Sequence, residues 1–288
     1  MPKQRQTNSI PLVVENSRAN EETERSKPFV KWAGGKRQLL PEILRHIPER
    51  FGTYHEPFVG GGAVFFALPQ GTVARLSDSN ERLVRAYRGI KFYVEEVITR
   101  LKQFKLDKNA YLEQRDRNID ADTDADVAAW FIYLNKMGFN GLYRVNSKNI
   151  FNVPLGVRTS RLNICDEDNL RACSRALANA TIVHQDFDLA LRQVRRGDLV
   201  YLDPPYIPVS TTSYFTSYTE DGFTHDDQLR LRDAALTLKK KGARVIVSNS
   251  SAAKALYKQG FKITEVLASR QVNSKADRRG KIAELLIT

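Results

Sequence analysis

An apolar run that ends in a proline-rich turn is the most constraining feature of the chain. The run from Leu199 to Leu202 predicts a buried strand, and Asp203-Pro204-Pro205-Tyr206 follows it directly. Proline fixes φ and has no amide donor, so the strand has to end there. Open α/β folds bind ligands at the carboxyl ends of their strands. The motif therefore predicts a ligand site at the edge of a mostly parallel sheet.

The turn offers acceptors and an aromatic face. The carboxylate of Asp203 and the carbonyl of Pro204 only accept hydrogen bonds, which suits an incoming amino group. Tyr206 presents a face on which a planar base can stack, a contact worth ~1 to 3 kcal/mol. Asp and Pro also favour turns for local reasons. The motif alone leaves a ligand site and an ordinary turn equally open.

Short apolar runs alternate with helical patterns through much of the chain, which predicts a mostly parallel α/β sheet. Thr224 and Asp227 form a capping signal for a helix that runs through Leu238. A further helical run is predicted from Gly62 through Leu68. Besides Leu199 to Leu202, the predicted strands are 54–58, 73–76, 181–183, 244–247, 263–267 and 284–287.

The order of these patterns predicts an insertion within the sheet domain. Residues 1–27 are polar and charged and are expected to form a flexible tail. Strand signals are missing from 82–167, which is helical, aromatic and basic. We therefore expect one α/β domain formed from 28–81 and 168–288, with an inserted, mostly helical domain between the two parts.

Composition limits the classes of partner and site. The formal net charge of +12 favours a polyanionic partner such as nucleic acid, although basic surfaces have other causes, including solubility. No apolar stretch approaches the ~20 residues of a membrane span, and the N-terminus lacks the apolar core of a signal peptide. These features predict a cytoplasmic globular protein that has no membrane contact.

Cysteine and histidine are too few and too scattered to predict a metal site. The two cysteines, Cys165 and Cys173, lack the Cys-x-x-Cys spacing, so we expect buried free thiols. The four histidines show no pairing. No metal is assigned.

A glycine-rich turn precedes an acidic strand end. Glu56 to Gly62 places three glycines where a strand turns into a helix, and Asp78 closes the next strand eighteen residues after Gly60 (78 minus 60). This spacing is expected for a carboxylate that binds ribose hydroxyls. Phe65 stands where a third glycine of Gly-x-Gly-x-x-Gly would fall, which disfavours NAD. A nucleoside ligand is indicated.

Several other chemistries lack their motifs. The stretch from Lys31 to Arg37 does not have the Gly-x-x-x-x-Gly-Lys-Ser/Thr spacing of a phosphate loop, which argues against ATP. The chain contains no Gly-x-Ser-x-Gly and no Pro-Cys dipeptide, so a covalent mechanism has no obvious nucleophile.

The assembled motifs resemble the Dam-like DNA adenine-N6 methyltransferases, in the arrangement where the cofactor loop precedes the recognition domain and the catalytic tetrapeptide follows it. The resemblance covers about residues 28 to 288. Six motifs in this order are far more specific than any one of them. They are Lys31 to Lys36, Glu56 to Gly62, Ser77-Asp78, Phe139 to Arg144, Phe151 to Pro154 and Asp203 to Tyr206.

The resemblance implies a Rossmann-like class I fold that binds S-adenosylmethionine. Residues 28–81 and 168–288 would form the catalytic methyltransferase domain, and 82–167 the target-recognition domain. For Asp186 the alternative is a surface turn residue. The cofactor residues implied by the family are Trp32, Ala33, Gly34 and Lys36 near the methionine end, Phe58, Gly60 and Gly62 beneath it, Asp78 on the ribose, Asp186 and Phe187 around the adenine, and Asp203.

The implied reaction is direct methyl transfer to a flipped adenine. An adenine amine is a poor nucleophile because its lone pair is delocalised into the ring. Asp203 and the Pro204 carbonyl would accept the two N6 hydrogens and favour the pyramidal nitrogen of the transition state. The target atom is obstructed inside a duplex, so the base would be flipped and stacked on Tyr206.

The resemblance also assigns sequence recognition within GATC in double-stranded DNA. Arg144 would form a bidentate pair with guanine, although a phosphate contact or a solvated charge would also explain it. Phe139 would be a wedge, with an ordinary core aromatic as the alternative. The remaining implied contacts are Lys31 near the first guanine and Asn140, Leu142 and Pro154 near the central A·T pairs.

One departure from the family pattern follows Gly156, where the chain has Val157-Arg158 instead of a basic residue followed by an aromatic. Arg158 could substitute in part. The basic loop from Ser269 to Lys281 is expected to be a hairpin that grips phosphates through Arg278 and Arg279, or merely a solvated charge run.

Three alternatives remain on sequence grounds. A cytosine-N4 enzyme shares the amine chemistry, but those enzymes commonly carry Ser where this chain has Asp203. A catalytically silent DNA-binding regulator would not need Asp78, Asp203, Pro204 and Tyr206 intact. An RNA or protein amine methyltransferase is disfavoured by the Arg144 segment, since readers of single-stranded RNA more often display aromatic platforms. We expect a monomer.

Overall fold

The computed structural model of the chain describes residues 26–36, 38–157, 162–207, 223–269 and 281–288. Most of the predicted tail, Arg158, and the hairpin residues Arg278 and Arg279 lie outside the described residues.

One mixed sheet organises the molecule. Its seven strands lie in the order β3-β2-β1-β4-β5-β7-β6, and β7 runs antiparallel to both of its neighbours while the other pairs are parallel. The predicted strands and the mostly parallel sheet are confirmed. The strands are β1 Tyr54–Glu56, β2 Ala74–Asp78, β3 Ala180–His184, β4 Leu199–Leu202, β5 Arg244–Ser250, β6 Ile263–Ser269 and β7 Lys281–Ile287.

The central strands are apolar on both faces because helices cover both faces of the sheet. All four residues of β4 are buried. Tyr201 belongs to the larger hydrophobic cluster, whereas Val200 and Leu202 belong to a second one. Successive side chains of a strand point to opposite faces, so β4 contributes to both clusters and lies at the centre of the domain.

The described helices are α1 Leu40–Arg45, α2 Glu81–Phe92, α3 Val94–Gln103, α4 Lys108–Asp116, α5 Asp124–Met137, α6 Glu167–Ala176, α7 Phe187–Leu191 and α8 His225–Lys241. The capping signal of α8 is confirmed, since Thr224 and Asp227 form a complete capping box. The predicted helix through Leu68 is wrong. Only a 3-10 turn, Phe65–Ala67, forms there, because Leu68 precedes Pro69 and is extended at ψ 161°.

The described residues of the predicted insertion form helices that pack on the sheet. Of the described residues between α2 and α6, none belongs to a strand of the sheet. Helix α2 contacts β3 through Arg88, which donates to the Ile182 carbonyl at 3.2 Å, and Lys91, which donates to the Ala180 carbonyl at 2.6 Å. One buried cluster includes residues of both the sheet and α2 to α5. The division at residues 82 and 167 stays a prediction.

Candidate functional site

The carboxyl ends of β1 and β4 meet at the centre of the sheet. The two strands are parallel neighbours, and Tyr54 pairs with Leu199 and His55 with Val200 at their amino ends. Strands β2 and β3 lie to one side of this pair, and β5, β7 and β6 lie to the other. In open α/β sheets, the crevice at such a switch point is where ligands bind. The glycine-rich loop after β1 and the turn after β4 both begin at this crevice.

Asp203 is the first residue after β4, and its acceptor atom is buried. Oδ1 lies 2.9 Å from Lys36 Nζ, at side-chain exposures of 21% and 5% respectively. Oδ1 is thus ion-paired with Lys36, and no other described residue donates to it. Burial raises the pKa of the Asp203 carboxyl to about 6, against the opposing effect of the Lys36 charge. The carboxyl is therefore mostly ionised at neutral pH.

Lys36 joins three parts of the site. Its ammonium donates to the Gly34 carbonyl at 2.6 Å and lies over the ring of Tyr206, 4.7 Å from the ring centroid. A buried ammonium is stable only when it is paired and hydrogen-bonded. Lys36 therefore holds the loop of residues 31–36 against the turn that carries Asp203.

Polar side chains from three elements hold the turn that follows Asp203. Gln228 Nε2 of α8 donates to the Pro205 carbonyl at 2.8 Å, and Asn249 Nδ2 of β5 donates to Gln228 Oε1 at 3.0 Å. The Tyr206 hydroxyl donates to Glu284 Oε2 of β7 at 2.7 Å. Gln228 and Asn249 are buried. We call Gln228 and Asn249 the clamp, because together they fix the backbone of the turn at Pro205.

The glycine-rich loop is built around Gly60 and Asp78. Asp78 Oδ2 accepts from the Gly60 amide at 3.0 Å, and Oδ1 accepts from the Asn80 amide at 3.0 Å. Gly60 has φ +46°, and a Cβ there would lie 2.6 Å from the ring of Trp32. Only glycine allows this approach, so the position of Trp32 depends on Gly60. Gly62 also has positive φ, +67°.

An aromatic cluster lies near the carboxyl ends of β1 and β3. The ring of Phe58 stacks on Phe187 at 5.5 Å, and Phe223 lies 5.7 Å from each of them. Asp186 is exposed and caps α7 by accepting from the Asp188 amide at 2.9 Å. These aromatic faces and the neighbouring carboxylate have the chemistry of a site for a planar, polar-edged ring.

A second group of predicted residues forms a tight turn at the end of α5. Asn140 and Gly141 both have positive φ, +56° and +67°. Phe139 is 45% exposed, which excludes the alternative of a core aromatic. Arg144 Nε donates to Asn152 Oδ1 at 2.7 Å, and its Nη2 donates to the Asn152 carbonyl at 3.1 Å. We call residues 139–144 the recognition turn.

The other predicted DNA contacts lie around this turn. Lys31, Asn140, Arg144 and Pro154 are exposed, and Leu142 is half-buried. The described residues contain no group of three or more His, Cys, Asp or Glu side chains that could hold a metal ion. In the same part of the chain, no helix is both long and apolar enough to cross a membrane.

Comparison with known proteins identifies the family. Residues 32–272 match the model of the D12 class N6 adenine-specific DNA methyltransferases. The chain belongs to this family. It is an adenine-specific DNA methyltransferase, and its seven-stranded sheet agrees with the class I methyltransferase fold expected from the motifs.

Named relatives cover nearly the whole methyltransferase. It is 45% identical over 273 residues to the type II methyltransferase M1.LlaDCHI of Lactococcus lactis subsp. cremoris, covering 91% of this chain and 95% of the relative. It is 42% identical over 284 residues to the type II methyltransferase M.MjaIII of Methanocaldococcus jannaschii, with 91% and 98% covered. A DNA adenine methylase of Vibrio cholerae is 35% identical over 269 residues, with 91% and 95% covered.

The methyltransferase brings most of the predicted site residues together at the switch point. The predicted residues at the ends of β1, β2 and β4 lie at the carboxyl edge of the sheet, where they contact one another, Trp32 or Lys36. The recognition turn lies beside Lys31. Sequence reasoning missed Glu56, which is buried at the end of β1 and accepts from the Tyr54 hydroxyl at 2.9 Å. Burial raises the pKa of Glu56 to about 8. Its position within the glycine-rich motif was the available signal.

The clamp, Phe223, Glu284 and Asn135 were also missed. None of them lies in a motif that the sequence analysis assigned to a function, and their partners are distant along the chain. Of the two cysteines, Cys173 is buried as expected, whereas Cys165 is only half-buried.

Proposed function

We propose that this enzyme transfers the methyl group of S-adenosylmethionine to N6 of an adenine flipped out of duplex DNA, within GATC. Membership of the adenine-N6 family supports the reaction. The observation that carries the assignment of the active site is the buried Asp203 carboxylate at the switch point of the sheet, whose Oδ1 is ion-paired with Lys36 and with no other described residue. A carboxylate oxygen has more than one lone pair, so this acceptor can also take a hydrogen bond from an incoming amino group.

The residues at the crevice fit the cofactor by their chemistry. The stacked rings of Phe58 and Phe187 provide apolar faces for its adenine, with Asp186 as a polar partner at the rim. Asp78 is held by two backbone amides and has lone pairs left for ribose hydroxyls. Trp32 and Gly60 would border the methionine part. When bound, the cofactor supplies an electrophilic methyl group on a sulfonium.

Asp203 and Pro204 carry the chemistry on the substrate side. Their acceptors would take hydrogen bonds from the N6 hydrogens and shift the nitrogen toward pyramidal geometry, which makes its lone pair available. The bound cofactor would supply the methyl group, with its sulfur as the leaving group, while Asp203 and Pro204 hold the nitrogen that receives it. The nitrogen would then lose one proton, which the Asp203 carboxylate can accept.

Tyr206 would hold the flipped base by stacking. Its hydroxyl donates to Glu284, which fixes the far end of the ring near Asp203. Base flipping costs a few kcal/mol of unstacking free energy, and stacking of the flipped base on the ring of Tyr206 would offset part of this cost.

The recognition turn supplies the proposed sequence contacts. Arg144 would read a guanine, Phe139 would enter the gap left by the flipped base, and Asn140, Leu142 and Pro154 would lie along the central pairs. Lys31 would contact the other guanine. Residues 82–167 would act as the target-recognition domain and 28–81 with 168–288 as the catalytic domain. Arg158, Arg278 and Arg279 stay predictions from the sequence.

The test uses purified full-length protein, tritiated S-adenosylmethionine and synthetic duplexes. One set contains GATC, and the others replace each base pair of the site in turn. Nucleoside analysis after digestion identifies the product. We expect N6-methyladenine in the GATC duplex and much less in the others. Label on cytosine, or no label in any duplex, would contradict the proposal, and methylation of a different sequence would correct only the recognised site.

A further inference from the structure

Asn135, near the end of α5, bonds to two segments of the site that are far apart in the sequence. Its Oδ1 accepts from the Lys31 amide at 2.8 Å. Its Nδ2 donates to the Lys31 carbonyl at 2.9 Å and to the Gly141 carbonyl at 2.8 Å. The residue is 1% exposed, so water cannot replace these bonds. One buried amide thus satisfies backbone groups of both segments.

The two segments are also in close van der Waals contact. A Cβ at Gly141 would lie 2.6 Å from Cδ of Lys31, so the Lys31 side chain crosses the recognition turn directly above that glycine. The ring of Trp32 stacks on Tyr143 at 5.9 Å. Since Gly141 has φ +67°, any other residue there would be both strained and blocked. A shift of the recognition turn therefore displaces residues 31 and 32.

The other end of the same loop reaches the active site. Lys36 lies five residues after Lys31 (36 minus 31), and its ammonium contacts Asp203 at 2.9 Å. Trp32 lies against Gly60. The loop of residues 31–36 therefore connects the recognition turn at one end to the reactive carboxylate at the other, and Asn135 fixes the first of these ends.

We propose that Asn135 is a positioning residue that makes the rate of methyl transfer depend on the base pairs held by the recognition turn. The inference rests on the proposed function. Binding of the correct DNA sequence would fix the position of the recognition turn. Through Asn135, the turn would then fix the position of the loop of residues 31–36, and Lys36 in that loop would position Asp203. Without this amide, only the contact of Lys31 with Gly141 and the stacking of Trp32 on Tyr143 would connect the two segments. A correct site and an incorrect site would then differ much less in how they align the catalytic groups.

Kinetics of Asn135→Ala provide the first test. We expect kcat on the best duplex to fall roughly tenfold, because three buried backbone groups lose their partner. The discrimination ratio, which is kcat/KM on the best duplex divided by kcat/KM on a duplex with one outer pair replaced, should fall by about the same factor. KM for the duplex should change much less than kcat.

Val127→Ala is the matched control for lost stability. Val127 is buried on the same helix, eight residues before Asn135 (135 minus 127), which is roughly 12 Å along the axis. Its truncation leaves a cavity but removes none of the three hydrogen bonds of Asn135. We expect this variant to lose thermal stability and to keep the discrimination ratio. Equal ratios in Asn135→Ala, Val127→Ala and the unmodified enzyme would overturn the proposal.

A double-mutant cycle tests the transmission itself. If Asn135 carries the effect of the guanine contact, Arg144→Ala should reduce kcat strongly in the unmodified enzyme and only weakly in Asn135→Ala. With Val127→Ala the two effects should be independent. Independent effects of Asn135→Ala and Arg144→Ala would refute the coupling, since no shared element would then connect them.

Tryptophan fluorescence separates this proposal from the proposed function. The chain has two tryptophans, so Trp130→Phe leaves Trp32 as the only one, and excitation at a wavelength that tyrosine does not absorb selects its emission. Adding duplex should change the emission of Trp32, and Asn135→Ala should abolish that change while duplex still binds. This comparison needs no turnover. An enzyme that methylates no duplex would refute the proposed function, whereas an unchanged Trp32 response in Asn135→Ala would refute the role of Asn135.

Discussion

Lys36 Nζ and Asp203 Oδ1 lie 2.9 Å apart in the crevice at the centre of the sheet. The ion pair explains how a buried carboxyl group can stay ionised and so act as a hydrogen-bond acceptor. Burial alone raises the pKa of Asp203, and the lysine opposes that rise by stabilising the ionised form. The relationship makes the pH dependence of the enzyme a direct test of the site.

Replacing Lys36 with methionine should move the acid limb of the pH profile. The pKa of Asp203 is about 6 with the lysine present, so removal of the positive charge should raise it further. The variant should therefore lose kcat/KM at a higher pH than the unmodified enzyme, by on the order of one pH unit. Lys36→Arg keeps the charge and is the control. If the acid limb of Lys36→Met lay at the same pH as that of the unmodified enzyme, the ion pair with Lys36 would not be what sets this limb.

Replacing Asp203 with alanine should remove activity and leave a folded protein. Loss of one preorganised acceptor at the reacting nitrogen reduces kcat by roughly 100-fold or more. The far-UV circular dichroism spectrum and the thermal unfolding curve serve as controls for the fold. Full activity of this variant on a duplex would show that another group accepts the N6 hydrogens.

Glu56→Gln should stabilise the protein increasingly as pH rises. The pKa of Glu56 is about 8 in the folded state, and 4.5 is its ordinary value. The unfolded chain therefore releases this proton at a lower pH than the native protein does. Between the two pKa values, the free energy of unfolding falls as pH rises, by on the order of 1 kcal/mol per pH unit. Glutamine keeps an acceptor for Tyr54 and carries no charge.

Thermal unfolding between pH 5 and pH 8 measures this effect. We expect the difference in Tm between Glu56→Gln and the unmodified protein to grow with pH in favour of the variant. A difference that stays constant would mean that Glu56 titrates at its ordinary pKa in the folded protein.

Gln228→Ala should slow the chemical step without weakening cofactor binding. The substitution removes the donor to the Pro205 carbonyl and leaves Asn249 without its partner. A loosened turn misplaces Asp203 relative to the amine, and small misplacements of reacting groups reduce rates strongly. We expect kcat to fall roughly tenfold. Asn249→Ala should have a similar effect, and the double variant should add little.

Additive losses from Gln228→Ala and Asn249→Ala would contradict a shared clamp. Arg232→Ala is a matched control, because Arg232 lies on the same helix and its guanidinium bonds to the neighbouring Asp233 at 2.8 Å. This control should keep both kcat and cofactor affinity.

The sequence was sufficient for the strands and the long capped helix because those signals are local. Apolar runs such as Leu199 to Leu202 and the capping pair of Thr224 and Asp227 act within one element. The short turn at Phe65 was mistaken for a helix because an apolar run resembles a buried helix until the effect of Pro69 on Leu68 is included.

The partners within the site could not be predicted, because they join residues distant in the sequence. Lys36 and Asp203 both lie in motifs, yet nothing in either motif indicates that the two side chains meet. Asn135 contacts Lys31 across 104 positions, and Tyr206 contacts Glu284 across 78. Such pairs follow from the order of strands in the sheet, which periodicity does not determine.

Arg144→Lys should reduce discrimination at one outer base pair of the site. Asn152 holds the guanidinium through two hydrogen bonds, so the group is oriented before DNA binds. Lysine keeps the charge but lacks the rigid planar pair of donors that matches guanine, and discrimination should fall by ~1 to 3 kcal/mol. Relative kcat/KM on duplexes with and without that guanine measures the loss, and the dependence of binding on salt should stay the same. Equal weakening on all duplexes would instead assign Arg144 to a phosphate, since phosphate contacts carry no sequence information.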